Sequence, residues 1–278
     1  MLSEFVVHRY ADGLVIHGDS CDPTLHAWIA NDIGQVKLII ADPPYGNIVN
    51  QTWDRITTDD SVFADWMTSW TEDWSDVCLV KGGAFYTWGG LGKPGFRPFM
   101  RYVVNTEVLE KFELANQITW SKKRGYGVQN NYLWTREELA YFVKGNAKKP
   151  ACFNIPLLPV KRGYAGYNAK YPAKSEFYRR TNVWTDINEM FRGKKHPTQK
   201  QQRLHEIIIE VHTNEGDWVI DPFAGIGTTA GACKKLGRKF VVIDSDKSYV
   251  EAMVTAFGTP LSEEVVKCPV KEVSLNDE

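Results

Sequence analysis

A chain of 278 residues has room for one large domain or a core with a small appendage, which excludes a marginal mini-protein. Hydrophobic residues at 43% and charged residues at 24% match a globular average and exclude collagen-like, low-complexity and disordered classes. The formal net charge of -1 conceals an asymmetry: residues 121–200 hold seventeen Lys or Arg against five Asp or Glu, and the remainder is acidic.

Short apolar runs alternate with longer amphipathic stretches, the alternation expected of an α/β domain with a mostly parallel sheet. In chain order, residues 14–19, 36–44, 84–90, 118–120, 139–143, 217–223 and 239–246 are the strand candidates, seven in all. Residues 61–80, 199–213, 228–237 and 248–257 carry helical three-to-four spacing. Within the first of these, Trp66, Trp70 and Trp74 recur every fourth residue and so share one face, read as packing surface. Residues 145–195 show no sustained periodicity and hold four prolines, as an irregular inserted module would. The segment after residue 262 is expected to be peripheral. No apolar run approaches the ~20 residues a membrane helix needs, and residues 1–30 lack a basic start followed by an apolar stretch, so a cytoplasmic chain with no membrane partner is expected. Five widely spaced cysteines without a C-x-x-C imply reduced thiols and no metal.

VIDPFAGIGTTA joins a strand to a helix through Gly225 and Gly227, whose missing side chains let backbone amides approach a ligand. Asp244 ends the next strand, where a carboxylate can accept ribose hydroxyl hydrogens. Asp221 sits at the tip of the first of these strands. It would repel a pyrophosphate and welcome a sulfonium or an ammonium, which favours adenosyl-methionine over a dinucleotide.

Asp42-Pro43-Pro44-Tyr45 follows the apolar run LIIA, at the carboxyl end of a buried strand where open α/β sheets bind ligands. Two prolines stiffen the turn and fix the directions of the Asp42 carboxylate, the Pro43 carbonyl and the Tyr45 ring. An exocyclic base amine has its lone pair delocalised into the ring. Two acceptors holding its two hydrogens favour a pyramidal nitrogen with that lone pair free, and Tyr45 offers a face for an extruded base. The basic pairs Lys122-Lys123-Arg124, Lys161-Arg162 and Arg179-Arg180 are interleaved with tyrosines, a composition suited to phosphates and unstacked bases.

The tetrapeptide DPPY, the later DPFAGIGTT and the intervening HPTQK together resemble the amino-methylating DNA methyltransferases, which modify adenine N6 or cytosine N4. The catalytic motif precedes the cofactor motif, as in the β-ordered, circularly permuted group. That resemblance implies a doubly wound, mostly parallel seven-stranded α/β core using S-adenosyl-L-methionine, with the strand over residues 14–19 first. It implies catalytic roles for Asp42, Pro43, Pro44 and Tyr45, and cofactor roles for Asp19, Thr198, Lys200, Asp221, Phe223, Gly225, Gly227 and Asp244. Where the family continues its HPTQK segment with proline, this chain has Gln201. The implied organisation is a catalytic half over 1–144, a target-recognition insertion over 145–195, a cofactor half over 196–262 and a tail over 263–278. Adenine N6 in double-stranded DNA is the expected target. Cytosine N4, an RNA or protein amide, and an inactive DNA-binding relative are the alternatives, and a homodimer and a cognate restriction endonuclease stay open.

Overall fold

The computed structural model describes residues 2–45, 59–90, 92–127, 129–163, 166–168, 171–172, 175–187 and 200–269. The N-terminal part contains β1 (Leu2–Tyr10), β2 (Gly13–His17), α1 (Pro23–Ile33), β3 (Val36–Ala41), α2 (Asp60–Cys78), β4 (Leu79–Gly89), α3 (Gly92–Val103) and α4 (Thr106–Lys111). The middle is strand-rich: β5 (Phe112–Tyr126), β6 (Trp134–Lys144), β7 (Leu157–Lys161), β8 (Gly166–Asn168), β9 (Tyr171–Pro172), β10 (Phe177–Arg179) and β11 (Val183–Trp184). The remainder comprises α5 (Gln202–His212), β12 (Trp218–Asp221), α6 (Thr228–Leu236), β13 (Lys239–Asp244), α7 (Lys247–Phe257) and β14 (Ser262–Pro269).

The main sheet runs β11-β5-β6-β4-β3-β12-β13-β2-β1-β14. The seven strands expected from the sequence are seven consecutive members of it, β5 to β2. Five of them, β4, β3, β12, β13 and β2, are mutually parallel, while β6 runs against both β4 and β5. Continuous apolar runs suit such strands because helices cover both faces. Ile39, Ile220, Val241 and Leu14 are register partners across four strands and face one core with Leu25 of α1 and Met67 of α2. Leu38, Val219 and Phe240 face the other, with Ile208 of α5, Ala230 of α6 and Met253 of α7. Full burial of each large aliphatic side chain contributes roughly 1.5–3 kcal/mol, so both faces are needed to hold the sheet.

The order differs from expectation at one edge. β1 precedes the strand expected to come first, and residues 262–269 form β14, which pairs antiparallel with β1. In β1 Phe5 and Val7 face one core and Tyr10 the other, a period-two pattern too short to stand out, and β14 is mostly exposed. Between 145 and 187, β7 pairs with β10 and β8 with β9 in two small sheets, while β11 adds to the main sheet beside β5. No helix among the described residues is long and apolar enough to cross a membrane.

Three helix starts place the loops near the site. Asp22, Asp59 and Asp246 cap α1, α2 and α7 by accepting backbone N–H bonds from Thr24, Ser61 and Ser248. Gly227 occupies the corresponding place before α6 in left-handed conformation, with φ 83 and ψ 33.

Candidate active site

The tips of three adjacent parallel strands bring the principal carboxylates together. Asp42 follows β3, Asp221 ends β12 and Asp244 ends β13, and each charge disfavours ionisation of the buried Asp221. Parallel pairing puts Ile220 opposite Ile39 and Asp221 opposite Val242, so Asp42 and Asp244 both lie just beyond Asp221 on the same side of the sheet.

Around Asp42 the contacts are dense. Lys200 Nζ donates to Asp42 Oδ1 at 2.8 Å and Oδ2 at 2.9 Å, and to Tyr45 Oη at 2.6 Å. Tyr45 Oη in turn donates to Asp42 Oδ1 at 2.8 Å. The ammonium lies 5.0 Å from the Tyr45 ring centroid and 5.2 Å from that of Trp88, within range of a cation–π attraction. Lys200 is only 4% exposed, and burial pulls its ammonium below the ordinary lysine value while Asp42 pushes back. Pro43 and Tyr45 are buried, so the turn is packed rather than projecting.

The glycine turn shows a second arrangement. Asp221 Oδ1 accepts the Phe223 amide at 3.0 Å and Oδ2 accepts the Thr229 hydroxyl. At 3% exposure, burial pushes the Asp221 carboxyl up to about 7 against the pull of these two bonds. Thr229 Oγ1 also meets His205 Nδ1 at 2.8 Å; since the hydroxyl proton is committed to Asp221, Nδ1 is the donor there. Asp244 Oδ2 accepts from Gly225 N and Oδ1 from Asp246 N, both at 2.8 Å, and burial raises its carboxyl to about 6. Phe223 packs edge-on against Trp70, with ring centroids 5.0 Å apart, so the tryptophan stripe of α2 supports this loop.

These groups fit S-adenosyl-L-methionine. Among the described residues this buried carboxylate has two hydrogen bonds and no ion pair within 4 Å, with Lys200 acting on it only from farther off, and a cationic ligand would add to that compensation. Gly225 and Gly227 both have positive φ, and a Cβ on Gly227 would lie 2.9 Å from Met253 Sδ. The turn therefore keeps its backbone close to α7 and free of side chains.

The remaining expected residues separate by environment. Asp19 is exposed and its Oδ1 accepts the Cys21 amide at 2.9 Å, capping a turn beside β2. Thr198 lies outside the described residues. Gln201 stands at the N-cap of α5 in extended conformation and without a side-chain cap, and Lys200 just before it reaches Asp42. Among the basic residues, Lys161 and Arg179 are exposed and Arg162 is half-buried. Arg180 instead is buried and forms a two-pronged pair with Asp186 at 2.7 and 2.8 Å. Lys122 pairs with Glu137, and the side chains of Lys123 and Arg124 lie outside the description.

Sequence reasoning missed Glu137, Trp88, His205 and Thr229. The one signal available was Glu137-Glu138 at the head of the apolar run of β6, two acids where a buried strand begins. A cavity of about 770 Å³ under β5 and β6, lined by Tyr86, Tyr141 and Trp184, holds none of the three carboxylates.

Residues 36–255 match the family model described as DNA methylase, for N6 and N4 methyltransferases. The type II methyltransferase M.BamHI of Bacillus amyloliquefaciens is 30% identical over 225 residues, 74% of this chain and 49% of that protein. The chain thus spans about half the length of that relative. M.HpaI of Haemophilus parainfluenzae is 30% identical over 241 residues, covering 83% of this chain and 71% of its own. YhdJ of Escherichia coli K12, a DNA adenine methyltransferase, is 27% identical over 250 residues, 85% of this chain and 80% of that protein. Two solved structures share the fold. The M1.HpyAVI-SAM complex has a TM-score of 0.56 at 24% identity, covering 87% of this chain and 98% of the other. The cytosine-N4-specific PvuII DNA methyltransferase has a TM-score of 0.63 at 18% identity, covering 90% of this chain and 88% of the other.

Proposed function

We propose that this chain, which belongs to the DNA methylase family, transfers a methyl group from S-adenosyl-L-methionine to the exocyclic amine of a base in double-stranded DNA, with adenine N6 as the target. The observation that carries the reading is the placement of the Asp42 turn and the Gly225–Gly227 turn at the tips of neighbouring parallel strands, on one side of one sheet. The similarity to YhdJ, named as an adenine enzyme, supports the choice of base.

When bound, S-adenosyl-L-methionine supplies a methyl group on a positively charged sulfur. Asp221 would hold the cationic part of that ligand and Asp244 its ribose hydroxyls, with Gly225 and Gly227 letting the backbone come close. Phe223, braced by Trp70, would shape the pocket wall, and Asp19 would flank the adenine end. The Asp42 carboxylate and the Pro43 carbonyl would each accept one hydrogen of the base amine, which localises its lone pair and orients it for attack. Asp42 is also the nearest base for the proton that nitrogen sheds once it carries the methyl group. Pro44 keeps the turn rigid and Tyr45 ties its hydroxyl to Asp42. Residues 145–195 would serve as the target-recognition region, with Lys161, Arg162 and Arg179 among its phosphate contacts beside Lys123 and Arg124. The flanking segments 1–144 and 196–262 would form the catalytic and cofactor halves.

The test is incubation of the purified chain with isotopically labelled cofactor and mixed-sequence duplex DNA, followed by digestion to nucleosides and mass spectrometry. Labelled N6-methyladenine is expected. N4-methylcytosine would move the target to cytosine, and label in neither would overturn the activity.

A further inference from the structure

Lys200 offers three N–H bonds, and in this arrangement two go to the Asp42 oxygens and one to Tyr45 Oη. A fourth acceptor stands in reach without a proton. Glu137 Oε2 lies 3.1 Å from Lys200 Nζ, yet has no aligned hydrogen bond among the described residues, so the two share a charge contact only. Glu137 is 3% exposed at the start of β6, and its other oxygen is taken by Lys122. A buried carboxylate oxygen facing an ammonium without receiving a proton is costly, and it marks where that ammonium can turn.

Asp42 has the complementary difficulty. A carboxylate that must hold the hydrogens of an amine turning cationic is blunted when a lysine ammonium already sits across both its oxygens. We propose that Glu137 is a positioning residue for methyl transfer: it takes one Lys200 N–H from Asp42 when the base amine arrives, leaving one Asp42 oxygen open to face the reacting nitrogen. The exchange conserves hydrogen bonds. The amine hydrogen replaces one of the two Lys200 protons on Asp42, and that proton goes to Glu137 Oε2, while the other stays on Asp42. Lys200 needs no large movement, since Nζ already touches both carboxylates and stays between the Tyr45 and Trp88 rings. Lys122 keeps Glu137 from carrying an unpaired charge at either end of the exchange.

This inference rests on the methyl-transfer reading above and is tested with the intact chain. In Glu137→Gln the shape is kept and the attracting charge is lost. Single-turnover transfer at saturating cofactor and DNA is expected to slow by at least tenfold, with the Kd values for S-adenosyl-L-methionine and for duplex DNA within threefold of the parent. Glu137→Asp keeps the charge and should recover much of the rate, whereas a merely packed side chain would tolerate Asp no better than Gln. A Gln variant as fast as the parent, or an Asp variant as slow as Gln, would overturn the role. If the Gln variant does not fold, Glu137→Met, which keeps the length of the side chain without its charge, takes its place: the same tenfold loss with both Kd values kept is expected, and a rate equal to the parent rejects the proposal. A parent chain that transfers no methyl group at all would instead remove the activity on which the inference stands.

Discussion

In the proposed role Asp221 would face a cation from a place that water hardly reaches, and its chemistry follows from that conflict. Burial raises its carboxyl to about 7, so near neutrality it is only half ionised without a ligand. A cationic cofactor needs the carboxylate, so binding at lower pH must first displace a proton. The expected result is that S-adenosyl-L-methionine affinity weakens about fivefold between pH 7 and pH 6, as the ionised fraction falls. The ligand's own ammonium stays protonated over that interval. Calorimetry in two buffers of different ionisation enthalpy checks it, with proton release growing as pH drops; a Kd flat from pH 7 to 6 would refute it. Stability of the ligand-free chain is a poorer probe because opposing groups titrate together. The raised Asp221 contributes stability that is present below the unfolded carboxylate range and lost as pH rises through about 7. Buried His205 and His212, both lowered to about 4, do the reverse: their contribution is lost as pH falls from the unfolded histidine value through about 4.

At the scale of elements, the junction between β12 and α6 depends on a glycine that is tightly enclosed. Gly227 has φ 83, and an added Cβ would meet Met253 Sδ at 2.9 Å and Phe257 Cζ at 3.1 Å, both from α7. Gly216 also has positive φ, at 82, but a Cβ there meets nothing within 4 Å. Gly216→Ala should therefore cost only the left-handed backbone, roughly 1–2 kcal/mol. Gly227→Ala should add crowding, a further ~1–3 kcal/mol, and should weaken cofactor binding as well. Denaturant unfolding of both variants compares them, and equal losses would show that α7 yields freely. The strands around this junction were legible in the sequence because they are buried on both faces and read as unbroken apolar runs. β1 and the edge strands β11 and β14 were not, since half-exposed or two-residue strands leave little periodicity. The same division runs through the site. Asp42, Asp221 and Asp244 stand out because each is locked to its own turn by neighbouring residues. The Lys200 partnership spans 158 positions of chain, and Glu137 joins it from β6, so only folding reveals them.

Across the whole molecule, the basic excess of residues 121–200 overstates the charge available to a polyanion, because part of it is spent inside the protein. Lys200 serves Asp42, Lys122 serves Glu137, and Arg136 reaches Glu138 at 3.0 Å. Arg179 and Arg180 show the division between adjacent positions. Arg180 is buried, with both prongs on Asp186 and its charge holding that carboxyl below the usual range. Arg179 is exposed, with its guanidinium 5.8 Å from the Phe153 ring centroid and no carboxylate pair among the described residues. Counterion release makes the consequence measurable, since log K falls with log salt by roughly 0.9 per phosphate neutralised. Arg179→Ala should lower duplex affinity and reduce that slope by about one phosphate's worth, leaving thermal stability nearly unchanged. Arg180→Ala should leave the slope alone and lower Tm, because it removes the two-pronged bond to Asp186 and the packing of the buried guanidinium on Trp184. Binding titrations across a salt series, run beside thermal melts, separate the two. If Arg180→Ala changed the slope as much as Arg179→Ala while keeping its Tm, the Arg180 guanidinium would be open to DNA and the charge division argued from the fold would fail.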